Sequence, residues 1–188
     1  MNLPTDRECF RLIDQMEMMD HIIDHSVMVS NVAVCLCLAI GNRASRLNVD
    51  LVRKAALLHD ITKTRSFDTG EIHSETGAGL LVDMGYPEVG NIIRQHVMLD
   101  KCRPDSPVSE PEIVNYADKR VLHDRVVSLD RRLGYIREKY GSKPQFGRLI
   151  QRMWRDTCAL EEKLFQRLPF LPEDLSDMVT PVVVKSIR

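Results

Sequence analysis

Apolar residues recur at every third or fourth position through most of this chain, the interval that gathers them on one face of an α-helix. Val29, Val32 and Leu36 follow His25 in this way, and Val52, Ala55, Ala56 and His59 share a second such face. Local stop and start signals divide the pattern. Thr5-Asp6-Arg7-Glu8 is a capping-box sequence that opens a first helix reaching about Met18. The second runs from about Asp20 to Ile40 with Gly41 as a left-handed stop, and Asn48 caps the third. Thr62 to Glu71 reads as a polar loop ending in Asp68-Thr69-Gly70. A helix from about Ser74 to Met84, stopped by Gly85, precedes one with Pro87 in its first turn.

Leu99 to Val108, which holds Pro104 and Pro107, is a loop long enough to have a role of its own. Ser109-x-x-Glu112, with Pro111, begins a helix through Asp118 towards Arg120. Ser128 to Tyr140 and Pro144 to about Leu168 complete the helices, and Val182-Val183-Val184 in the tail is too short to establish a sheet. The prediction is an all-α bundle in one domain over 1–188, with a core at about 20–140, flanking helices at 5–18 and 144–168, and a short tail.

Composition narrows the class. Hydrophobic residues at 44% and charged residues at 28% describe a globular chain rather than a disordered one. A net charge of −1 gives no reason to expect a nucleic-acid polymer as partner. Asp6, Arg7 and Glu8 stand where an export signal needs an apolar core, so the expected location is the cytoplasm. The uncharged run within the second helix, Ser26 to Ile40, falls short of the roughly 20 residues of a membrane span and reads as a buried helix. Cys9, Cys35, Cys37, Cys102 and Cys158 are odd in number and irregularly spaced, which fits reduced thiols. A homodimer is compatible with the sequence and not indicated by it.

The histidines change the picture. Alone, His25 on its apolar face reads as an ordinary hydrogen-bonded core residue. His59-Asp60, however, ends an apolar helix in an imidazole beside a carboxylate, and a buried carboxylate must meet a cation or become protonated. A metal bound by both side chains meets that need. Lys63, one turn further on, is placed to approach a bound phosphate.

Five segments then resemble one family: His25-Ser26, Leu58-His59-Asp60-Ile61-Thr62-Lys63, Glu71-Ile72-His73-Ser74-Glu75-Thr76-Gly77-Ala78, Gln95-His96 and Tyr116-Ala117-Asp118-Lys119-Arg120. The pattern, from roughly His21 to Leu133, is similar to the HD superfamily of metal-dependent phosphohydrolases. It resembles the subgroup with a His-Asp-Ile-Gly signature, which includes bacterial diadenosine-tetraphosphate hydrolases. Thr62 stands where that signature has Gly, a change that removes no ligand.

The resemblance implies a helical bundle with a metal site between core helices. It assigns His25, His59, Asp60 and Asp118 to a first metal, and Asp60, His73 and His96 to a second. The cofactor would be a divalent transition metal, two ions, with Fe or Mn favoured and Zn or Ni compatible. Such a pair, about 3.5–4 Å apart, ionises a water that attacks phosphorus and clamps a phosphoryl oxygen. Asp60 and Lys63 would carry the catalysis, and the substrate would be a nucleotide or similar small phosphorylated metabolite. The superfamily also contains mixed-valent di-iron oxygenases with the same six ligands. A third reading is a regulatory nucleotide-binding module, against which the filled ligand positions argue.

Other residues compete for roles. His25, followed by Ser26, fits the family pattern better than His21, and His123-Asp124 follows Asp118 too closely to repeat the site. Lys101 and Arg103 in the long loop, and Arg120 and Arg125 after Asp118, are candidates for substrate phosphate. The wider basic run through Arg131, Arg132 and Arg137 reads chiefly as a solvated helix face. Gly77 and Gly79 fit either an open anion-binding turn or close helix packing.

Overall fold

The computed structural model describes residues 1–41, 47–101, 103–141 and 144–180; Cys102 and Val182-Val183-Val184 lie outside the described residues. The fold is all-α apart from one small hairpin. Its helices are α1 (Asp6–Gln15), α2 (Asp20–Ile40), α3 (Val49–Leu58), α4 (Lys63–Thr69), α5 (His73–Asp83), α6 (Pro87–Arg94) and α7 (Glu110–Lys119). After the hairpin of β1 (Val121–Leu122) and β2 (Arg125–Val126) come α8 (Leu129–Tyr140), α9 (Pro144–Phe165), a 3-10 turn at Pro172–Asp174 and α10 (Leu175–Met178).

The capping chemistry sets most boundaries. The Thr5 hydroxyl accepts from the Glu8 backbone N–H at 3.2 Å while the Glu8 carboxylate accepts from the Thr5 N–H at 2.7 Å. Each half satisfies a donor that a helix start leaves open, and losing such a cap costs about 1 kcal/mol. Asn48 caps α3 through Leu51, and Ser109 with Glu112 forms the second box, on α7.

α2 is long and apolar enough to cross a membrane, but Val29, Val32, Ala33 and Leu36 are buried, and it packs along α3 and α7. It therefore reads as the central helix of the core. α5 and α6 form a second close pair. Gly90 makes that approach possible, because a Cβ there would stand 2.8 Å from the Ala78 carbonyl oxygen. Gly77 likewise belongs to close packing, since its Cβ would meet Ile61 Cγ2 at 3.1 Å, whereas Gly79 faces open space.

Two segments differ from the sequence expectation. Thr62 to Glu71 contains the helix α4 rather than a loop, although none of that helix's residues is buried. Phe67 is its one large apolar side chain and is 56% exposed, so no apolar stripe marks the helix. Local bonds hold it instead: Gly70 ends it in the left-handed conformation, and Arg65 pairs with Glu71 at 2.8 Å. The stretch after Asp118 makes the hairpin, its two-residue turn placing His123 at φ +56°. Strands of two residues carry no readable alternation. α1 and α9 also end a turn early, at Gln15 and Phe165.

Candidate metal centre

Five elements converge on one buried spot. α2 supplies His25, and the end of α3 supplies His59 and Asp60. α5 begins with His73, His96 follows the last turn of α6, and Asp118 lies in the last turn of α7. Ligand atoms of His25, His59 and Asp60 all lie within 4.8 Å of one another, as do those of Asp60, His73 and His96. Asp60 belongs to both groups. Asp118 Oδ1 stands 3.0 Å from His25 Nε2 and 3.8 Å from His59 Nε2. The six residues placed at the centre by resemblance are thus brought together.

Hydrogen bonding fixes which ring nitrogens face inward. His25 Nδ1 contacts the His123 carbonyl at 3.0 Å, His59 Nδ1 the Ala56 carbonyl at 2.7 Å, and His96 Nδ1 the Ile93 carbonyl at 2.6 Å. A carbonyl only accepts, so each Nδ1 carries a proton and each Nε2 is turned into the centre, where it offers a lone pair whenever the ring is neutral. His59 and His96 owe this to position: each bonds a carbonyl three residues back at a helix end, where carbonyls lack partners within the helix.

The centre consequently gathers imidazole nitrogens and carboxylate oxygens. His73 Nε2 and His96 Nε2 are 3.1 Å apart, and Asp60 Oδ1 lies 3.2 Å from the first and 3.5 Å from the second. His59 Nε2 and Asp60 Oδ1 are buried with no hydrogen-bond partner among the described residues. Lone pairs and carboxylate oxygens crowded in this way fit divalent cations, and imidazole with carboxylate is a donor set for Fe, Mn, Zn or Ni.

Electrostatics act differently on the individual groups. Burial pushes His96 down to about 4 and outweighs Asp118 in lowering His25, so both stay neutral near pH 7. Burial opposes charge on His59 too, but Asp60 and Asp118 raise it. Burial likewise works against the Asp60 carboxylate, yet Lys63 and His59 hold it well below the usual carboxylate range. Asp118 is held low against the same burial by Lys119, His25 and Arg132.

Three cations border the carboxylates. Lys63 Nζ lies 2.7 Å from Asp60 Oδ2 with its side chain 27% exposed, at the rim of the centre. Lys119 Nζ donates to Asp118 Oδ2 and to the His96 carbonyl, both at 2.8 Å, and ties the two metal groups together. Arg132 Nη2 reaches Asp118 Oδ1 at 3.5 Å. Sequence reasoning missed Lys119 and Arg132, and also Thr62, whose buried hydroxyl donates to the His73 carbonyl at 2.9 Å.

The competing residues lie elsewhere. His21 is exposed, and His123 enters only through the carbonyl that orients His25. Arg120 does not reach the centre: its guanidinium bonds Val127 O at 2.7 Å, Glu161 at 3.2 Å and Pro172 O at 2.7 Å, besides the Tyr116 hydroxyl. Positions two apart on a helix point about 200° apart, so proximity to Asp118 in sequence carries Arg120 to the opposite face. Arg125, Lys101 and Arg103 are exposed, and no contact among the described residues joins them to the cluster.

Comparison with known proteins bears on the same segment. The HD domain family model matches residues 22–121. An uncharacterized protein of Methanocaldococcus jannaschii is 28% identical over 145 residues, covering 70% of this chain and 85% of its own length. No solved structure matches.

Proposed function

The chain belongs to the HD domain family, whose members are generally metal-dependent phosphohydrolases, and we propose that it cleaves a phosphoester or phosphoanhydride bond of a nucleotide or similar small phosphorylated metabolite. His25, His59, Asp60 and Asp118 would hold one ion, and Asp60, His73 and His96 a second. When bound, such ions supply Lewis acidity, polarising a phosphoryl oxygen and bringing water's pKa close to neutrality.

The chain's own residues do the rest. The Nδ1 bonds to Ala56, Ile93 and His123 hold three imidazoles in the ligating tautomer before any substrate arrives. Lys119 keeps Asp118 and the His96 backbone in register. Lys63, between Asp60 and solvent, places positive charge where a phosphoryl group gathers negative charge. The observation that carries this reading is the convergence of four imidazoles on two carboxylates, with buried donor atoms left unpartnered.

The test is phosphate release from a panel of nucleoside phosphates, dinucleoside polyphosphates and sugar phosphates, with metal-stripped and metal-reconstituted protein. Metal-dependent turnover of at least one substrate, abolished in Asp60→Ala, is expected. A reconstituted protein that consumes oxygen with a diol or phosphonate and releases no phosphate would contradict the reading.

A further inference from the structure

Arg132 has an environment that a solvated helix face does not explain. Its side chain is only 13% exposed, on the same face of α8 as the buried Leu129 and Leu133. Its Nη2 touches Asp118 at 3.5 Å, a long contact for a guanidinium, and its Nε is buried with no hydrogen-bond partner among the described residues. Withdrawing a guanidinium from water while leaving a donor unused is unfavourable, and the planar fork is shaped for an anion with two acceptor oxygens. The neighbours add to this. Lys63 faces the same pair of carboxylates, and the positive charge of Arg132 works against that of Lys63. Lys119, by contrast, is committed to Asp118 and the His96 carbonyl.

If two divalent ions were bound, Asp60 and Asp118 would supply two negative charges against theirs and those of Lys63, Lys119 and Arg132, a balance that favours an anion at the site. An anion reaching Lys63 and Arg132 would meet two cations whose carboxylate partners would then be shared with metal. The Tyr135 ring centroid is 6.0 Å from the Arg132 guanidinium carbon.

We propose that Arg132, with Lys63 opposite, seats a dianionic terminal phosphate of the substrate, so that the site favours phosphomonoesters and terminal phosphoanhydrides over internal phosphodiesters. The cleavage preference rests on the phosphohydrolase reading above; the phosphate seat itself can be tested without turnover. A terminal phosphate has three non-bridging oxygens, enough for the fork and a metal together, and a second negative charge for Lys63, whereas a diester has two such oxygens and one charge and carries a second substituent into the same space.

The experiment uses metal-loaded full-length protein and the variants Arg132→Gln and Arg132→Lys. Metal content, calorimetric affinity for inorganic phosphate, and kcat and KM on p-nitrophenyl phosphate and bis(p-nitrophenyl) phosphate are measured. Arg132→Gln should keep its metals and lose about 10- to 100-fold in phosphate affinity, with a similar loss in kcat/KM on the monoester. The diester should change by less than about threefold, and Lys should restore only part of the loss, because an ammonium lacks the fork. Unchanged phosphate affinity in Arg132→Gln overturns the seat, and so does loss of metal, which would make Arg132 a support for Asp118. Arg132-dependent phosphate binding without hydrolysis of any ester leaves the seat standing and removes the phosphohydrolase reading.

Discussion

α7 carries two buried polar clusters, and they are built on opposite principles. On one face, Glu112 receives Lys163 Nζ at 2.6 Å, Ser106 accepts from the same ammonium at 3.0 Å, and Arg120 is bonded by Val127, Tyr116, Glu161 and Pro172. Donors there meet acceptors. On the other face Asp118 Oδ1 meets His25 Nε2 at 3.0 Å, while the buried His59 Nε2 and Asp60 Oδ1 have no hydrogen-bond partner among the described residues. Bonding capacity there is left open. A closed cluster joins elements: Lys163 ties α9 to α7 and to the loop at Ser106, and Arg120 ties α7 to the turn at Pro172. An open one is completed by a cation, which makes the open face the place to look for chemistry.

The sharpest way to separate the two is to break the closed one. Lys163→Met should leave Glu112 buried without its cation and cost about 3–5 kcal/mol in unfolding free energy, read by chemical denaturation. The metal content of the folded fraction should not change; a variant that folds as stably as the parent would mean that this pair joins nothing. A milder change addresses the open cluster. Thr62→Val removes the donor to the His73 carbonyl and should weaken the second ion by about tenfold in a chelator competition, leaving the first intact.

The smallest effect is on acid stability. Burial takes His96 from its ordinary value of 6.5 to about 4, so between those values the unfolded chain binds the extra proton and the folded chain does not. Stability of metal-free protein from this group is therefore present above 6.5 and lost as pH falls towards 4. His96→Ala should flatten that part of the pH–stability curve relative to the parent, and parallel curves would show that His96 titrates normally.

The same contrast explains what could be read from sequence. The six residues of the cluster lie in five segments that resemble one family, and the helices carrying them show caps or stops, so the bundle was legible from the pattern and the cluster from the resemblance. α4 was not, because Lys63–Thr69 buries nothing and local bonds alone define it. Arg120 misled because closeness to Asp118 in sequence was taken for closeness in space. Arg132 was hidden in a run of arginines, yet a signal existed: it lies three residues after Leu129 and four before Ile136, on the apolar face of α8. The carbonyls that fix the imidazole tautomers had no side-chain signature at all. Those of Ala56 and Ile93 follow from where α3 and α6 end, and that of His123 from the hairpin turn.

The central claim is that Asp60 is shared by two metal groups, and elemental analysis of protein purified without added metal tests it most directly. The account predicts about two transition-metal ions per chain, about one in His96→Ala and none in Asp60→Ala, with helical circular dichroism retained in all three. Two ions remaining in Asp60→Ala, or no metal in the parent after reconstitution, would contradict it.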